Sequence, residues 1–123
     1  MLSAAWLPPH CIDHELSADF ERSGPGPNGE WTYYNGSSAD DYTVEISVEG
    51  IELGSDDPDS RFYANWDWHV LHCMFYWKKM WRANMTGTTL EGRYDNEGHI
   101  NHCATALIAE RGWDTMFGIR FNT

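Results

Sequence analysis

The pattern His-x-x-His-Cys occurs twice, at His69-Val-Leu-His72-Cys73 and at His99-Ile-Asn-His102-Cys103, offset by 30 residues in a chain of 123. On an α-helix, side chains three and four positions apart share a face, so each copy sets two imidazoles and a thiol along one stripe. The segment from Asn65 to Ala83 contains no Gly or Pro and Gly87 offers a stop, which predicts one helix. A second helix is expected from about Asn96 to Arg111, with Asp95 as its N-cap and Gly112 as its stop. The connection from Asn84 to Tyr94 is short enough for an antiparallel pair, which brings the two stripes together. On the first helix the stripe holds His69, His72, Cys73 and Tyr76, while Val70, Phe75, Trp77 and Trp81 occupy neighbouring faces. Such a helix is apolar nearly all round and is expected at the centre of the fold. Lys78, Lys79 and Arg82 fall in its last turns, where cations complement the helix dipole. On the second helix His99, His102, Cys103 and Ala106 form the stripe, and Ile100, Leu107 and Ile108 are expected to face the core.

Upstream, Pro8 to Phe20 reads as an extended lead and a short helix capped by Asp13, and Ser23-Gly-Pro-Gly-Pro-Asn-Gly29 breaks the chain. Glu30 to Tyr34 and Tyr42 to Val48 are rich in aromatic and β-branched residues. In the second of these, Tyr42, Val44, Ile46 and Val48 share one face, so the two predict a short β-hairpin around the polar turn Asn35 to Asp41. The acidic loop Gly54 to Ser60 carries Asp56, Asp57 and Asp59 but lacks the glycine and closing glutamate of a calcium loop, and is expected to be solvated. After Trp113 the tail is irregular or strand-like. The expectation is therefore a small single α+β domain over residues 1–123, with a lead and short helix over 1–22, strands within 30–50, and paired motif helices over 65–111.

Charge narrows the partners. Nineteen acidic residues against eight Lys and Arg give a net charge of -11, a field that repels nucleic acid and anionic membrane surfaces. No run of apolar residues is long enough to span a bilayer, and the N-terminus lacks the basic region of a signal peptide, which taken literally implies a cytosolic protein. Against this, Asn35-Gly-Ser37 and Asn84-Met-Thr86 are acceptor sequons for N-glycosylation, a modification of the secretory pathway. The chain has no GxSxG elbow, no Walker loop and no dinucleotide fingerprint.

Four histidines buried without partners would each cost about 1 to 3 kcal/mol, against a total stability of about 5 to 15 kcal/mol for a domain. A metal removes that cost, and imidazole and thiolate suit copper or zinc. The candidate ligands are His69, His72, Cys73, His99, His102 and Cys103. The spacing is not that of a zinc finger, and copper, unlike zinc, also does redox work. Cys73 and Cys103 have a second reading, a disulfide stapling the helices, if their Cα atoms come within about 7 Å. With Cys11 there are three cysteines, so one stays unpaired if a disulfide forms. His10 and His14 flank Cys11 in the Pro-rich lead and read as structural or exposed. Trp66, Trp68, Tyr76, Trp77 and Trp81 can line a cleft, but packing is the expectation for most of them.

The paired motifs, with Phe75-Tyr-Trp-Lys-Lys-Met-Trp-Arg82 after the first, resemble the UstYa-type proteins of fungal secondary-metabolite clusters. Leu7-Pro-Pro-His-Cys-Ile-Asp-His-Glu-Leu16 is similar to that family's Pro-x-x-Cys-x-Asp lead, and Glu30-Trp-Thr-Tyr-Tyr34 to its Trp-containing segment. The resemblance implies oxidative tailoring of natural products: cyclisation of ribosomal peptides, desaturation or halogenation. It implies copper as the metal, molecular oxygen as the oxidant, and His69, His72, His99 and His102 as catalytic residues. It also implies a peptide or other secondary metabolite as substrate, action beside a homologous partner protein, and a place in the secretory lumen. The family's usual transmembrane anchor and C-terminal cysteine have no counterpart in this chain. The rival expectation is a non-catalytic metal-binding or partner domain with a His/Cys structural zinc site.

Overall fold

The computed structural model describes residues 2, 7–38, 41–53, 61–109 and 116–120. Among them a 3-10 turn, Pro9–Cys11, leads into helix α1, His14–Glu21. The hairpin β1, Tyr33–Ser38, and β2, Asp41–Ile46, is followed by α2, Val48–Leu53, and β3, Arg61–Asn65. Helices α3, Trp66–Thr86, and α4, Glu97–Ile108, precede the last strand, β4, Met116–Arg120. The strands make one antiparallel sheet in the order β2-β1-β3-β4, so the fold is α+β as expected.

Asn65 is the joint between sheet and helix. It ends β3, pairing with Met116 of β4, and its side chain caps α3 by accepting from Trp68 N at 3.0 Å. That cap satisfies one of the donors a helix N-terminus leaves open. At the other end Gly87 takes φ 71°, a left-handed conformation that costs glycine little, and its N–H closes the last turn on Ala83 O.

The core forms around Phe20, which has no exposed surface. Trp31 stacks on it at 5.5 Å, and Trp68 and Phe75 meet it edge-on at 5.4 and 5.3 Å. These rings join α1, the segment before β1, and α3, each contributing roughly 1.5 to 3 kcal/mol by burial. Their polar atoms are satisfied: the Trp31 indole donates to Phe20 O at 2.7 Å and the Trp68 indole to the Tyr33 hydroxyl at 3.1 Å.

Ion pairs from Lys79 and Arg82 fix α3 to the rest of the chain. Lys79 is 2% exposed and donates to Glu91 Oε2 at 2.9 Å and to Cys11 O at 2.6 Å, while the Tyr76 hydroxyl donates to Glu91 Oε1. Arg82 clasps Asp13 at 2.7 and 3.2 Å, and Asp13 also caps α1 through Leu16 N, as the sequence predicts. The guanidinium beside it holds the Asp13 carboxyl below its usual range.

Several expectations are corrected. The strand from Tyr42 ends at Ile46, and Val48 opens α2. The first strand starts later than Glu30 and continues through the polar stretch Asn35 to Ser38, because backbone pairing with β2 does not require apolar side chains. The cap of α4 is Asn96, not Asp95: its Oδ1 accepts from His99 N at 2.8 Å, while its amide donates to Gly92 and Arg93 carbonyls. Helix α4 ends at Ile108, and Arg111 and Gly112 lie outside the described residues. Ile100 and Ile108 are exposed because α4 buries only Cys103 and Ala106; Trp77 and Trp81 of α3 are exposed as well. Lys79 and Arg82, expected to complement the helix dipole from the last turns, lie before the last turn of α3 and pair with Glu91 and Asp13 instead. Of the two readings left open for the tail after Trp113, irregular or strand-like, the strand holds, as β4. The acidic loop Gly54 to Ser60 lies outside the described residues.

Removing one partner of a buried pair strands the other charge. Lys79→Met should lower the unfolding free energy by about 3 to 5 kcal/mol, and adding Glu91→Leu should recover part of that loss. Urea denaturation of the two variants measures both effects.

Candidate metal centre

Helix α3 presents His69 and His72 one turn apart, and both are buried; α4 presents His99, half-buried, and His102, exposed at the rim. Contact between the two helices cross-pairs the motifs. His69 Nε2 stands 3.0 Å from His102 Nε2, and the His72 and His99 rings meet edge to face at 5.7 Å. All four imidazoles line one cleft of about 580 Å³. Trp66, Trp68 and Tyr94 supply aromatic walls, with Arg93 and Asn96 from the turn before α4 and Gly118 and Ile119 from β4. Of the aromatic residues proposed for a cleft, Trp66 and Trp68 line it, Tyr76 packs behind it against His72, and Trp77 and Trp81 point elsewhere.

The cysteines take the disulfide. Cys73 and Cys103 are bonded across α3 and α4 with Cα atoms 5.6 Å apart. Of the two readings of Cys73 and Cys103, the staple is the one present, and a disulfide sulfur carries no thiolate charge to donate to a metal. His99 Nε2 lies 3.6 Å from Cys103 Sγ, one turn along α4. Cys11 is a buried free thiol under the lead, and His10 and His14 beside it are exposed and away from the cleft. Both sequon asparagines, Asn35 on β1 and Asn84 near the end of α3, are exposed.

Burial sets the protonation of the rings. Desolvation, with the neighbouring His102 and His99 adding to it, pulls His69 down to about 4, and desolvation pulls His72 down to about 3. His99 is lowered by burial and then by His102. Tyr94 is pushed up to about 12 by burial, so its phenol stays neutral. His69, His72 and His99 are therefore neutral imidazoles at neutral pH, which is the state a metal requires. Tautomers are constrained as well. His72 Nδ1 donates to Leu2 O at 2.8 Å, which leaves Nε2 with its lone pair. Between His69 and His102, one Nε2 must carry the proton that the other accepts.

That shared proton sits where a cation would fit. Two nitrogens bound to one ion at about 2.0 to 2.1 Å lie about 3.3 Å apart in tetrahedral geometry, and the observed pair is 3.0 Å apart. Among the described residues no group of three or more His, Cys, Asp or Glu side chains already converges at ligand geometry. The imidazoles instead form two pairs, so recruiting His72 or His99 needs movement of a ring. The donor set, neutral nitrogens with one ring oriented by a backbone carbonyl, fits copper or zinc.

Arg93, Tyr94, Asn96, Gly118 and Ile119 were not singled out by sequence reasoning. Gly118 and Ile119 reach the cleft only because β4 pairs with β3, where Tyr63 faces Gly118 and would stand 2.9 Å from a Cβ placed there. Tyr94 had a usable signal, an aromatic residue at the end of the connection between the motif helices.

Comparison with protein families, curated proteins and solved structures finds no match to this chain.

Neutral buried rings also make stability depend on pH. Unfolded histidines protonate near 6.5, whereas His69 and His72 resist protonation until about 4 and 3, so below 6.5 the unfolded chain binds more protons. The stabilisation is complete above pH 6.5 and is lost progressively as pH falls toward those folded values. Urea midpoints measured in a chelator should fall steadily from pH 6.5 to 4, and a flat profile would contradict this account.

Proposed function

We propose that this protein is a copper-dependent oxidase that tailors a peptide or other secondary metabolite, the function implied by its resemblance to the UstYa-type proteins. The observation that carries it is the pairing of the two motifs: four imidazoles, His69 and His102 in contact, lining one side of an aromatic cleft. His69, His72, His99 and His102 would hold the metal. Bound copper supplies one-electron chemistry with molecular oxygen as the oxidant.

The chain's own residues do the rest. Trp66, Trp68 and Tyr94 bind the apolar part of a substrate and limit water around the imidazoles. Stacked on Trp68 at 4.9 Å and bonded to Leu2 O, the His72 ring is held in one orientation. The disulfide keeps the helices from separating and leaves the site dependent on nitrogen donors alone. That donor set speaks against the structural zinc rival, which draws on thiolates. The non-catalytic carrier shares the same ligands and is separated by turnover.

Elemental analysis of the purified protein should find copper, and His69→Ala or His102→Ala should each remove it and abolish oxidation of the substrate. Stoichiometric zinc without a redox-active metal would sink the proposal. Copper binding with no oxygen consumption in the presence of substrate would point to the carrier instead.

A further inference from the structure

Away from the cleft, α3 turns an apolar stripe to solvent. Trp77 is 56% exposed and Trp81 68%, and Met74 and Met85 are exposed with them. Two indoles and two thioethers in the open on one helix mark an interface. The stripe follows helical spacing: Asp67, Met74, Lys78, Trp81 and Met85 are at i, i+7, i+11, i+14 and i+18, with Trp77 beside them, over about 27 Å.

Its charges indicate what covers it. Of the cations on α3, Lys79 and Arg82 are already paired inside the chain with Glu91 and Asp13. The outer stripe is left with one charge of each sign, Asp67 near its start and Lys78 near its middle, and neither has an ion pair among the described residues. A stripe with opposite charges at two points is complementary to itself when reversed.

We propose that a second copy of this chain docks here, α3 against α3, antiparallel about a two-fold axis with Asp67 of each copy opposite Lys78 of the other. A second feature supports the same register. Reversing α3 so that residue 78 meets residue 67 carries Trp77 of one copy to the level of Trp68 on the other, within a turn of Asp67, Val70 and Leu71. Beside those residues lies a pocket of about 210 Å³ lined by Pro25, Trp31, Asp67, Val70 and Leu71. An indole fills a pocket of that size, so each Trp77 becomes an anchor seated in its partner. The histidines lie on another face of α3 and stay open in the pair. The proposal does not depend on the cleft's function.

Sedimentation velocity of the full chain over a concentration series tests it. The protein should dimerise reversibly, Trp77→Ser should raise the dissociation constant roughly thirty-fold, and circular dichroism should show that variant folded. Lys78→Asp and Asp67→Lys should each weaken the dimer about tenfold, and combining them should restore it, since the swap rebuilds both contacts. A monomer at all concentrations would overturn the proposal. So would a dimer indifferent to Trp77→Ser, or a double charge swap no better than the single changes. Co-flotation with phosphatidylcholine vesicles that requires Trp77, from a protein that stays monomeric, would assign the stripe to a membrane surface and overturn it as well.

Discussion

The covalent link between Cys73 and Cys103 is the constraint on which the cleft depends. It joins α3 to α4 at the matching position of each motif and holds the Cα atoms 5.6 Å apart. Beside the link His69 meets His102 and His72 meets His99. A cross-link over 30 residues removes unfolded-state entropy worth roughly 3 to 4 kcal/mol. Helix α4 needs that help, since among its described side chains only Cys103 and Ala106 are buried.

Around this link α3 does three jobs with three faces. One carries Trp68, Phe75 and Lys79 into the core, against Phe20 and the buried carboxylate of Glu91. A second carries His69, His72 and Tyr76 toward α4 and the cleft. The third carries Met74, Trp77, Trp81 and Met85 to solvent. A helix hydrophobic all round is normally buried all round. Here the apolar character serves packing on one side and exposure on the other, and the pattern alone cannot separate the two.

Legibility in the sequence followed the range of the interaction. Local signals were read well: the Gly- and Pro-free run of α3, its stop at Gly87, the Asp13 cap and the hairpin. Where two local candidates competed, as Asp95 and Asn96 did for the cap of α4, side-chain geometry decided, because Asn96 both accepts from His99 N and donates to two carbonyls. Contributions from distant strands were not legible at all, since nothing local in Gly118 or Ile119 says that β4 will lie beside β3.

The sequence by itself determined which chemistry the chain can host. Two copies of His-x-x-His-Cys at helical spacing put imidazoles and sulfur on two stripes whatever surrounds them, because helix periodicity is a property of the backbone. Only the tertiary structure decided how the atoms are used. It spent the sulfurs on a bond, cross-paired the histidines, and made His69, His72 and His99 neutral by burying their rings. Those outcomes depend on distances between segments 30 residues apart and on the water excluded between them, and no stretch of sequence encodes either alone.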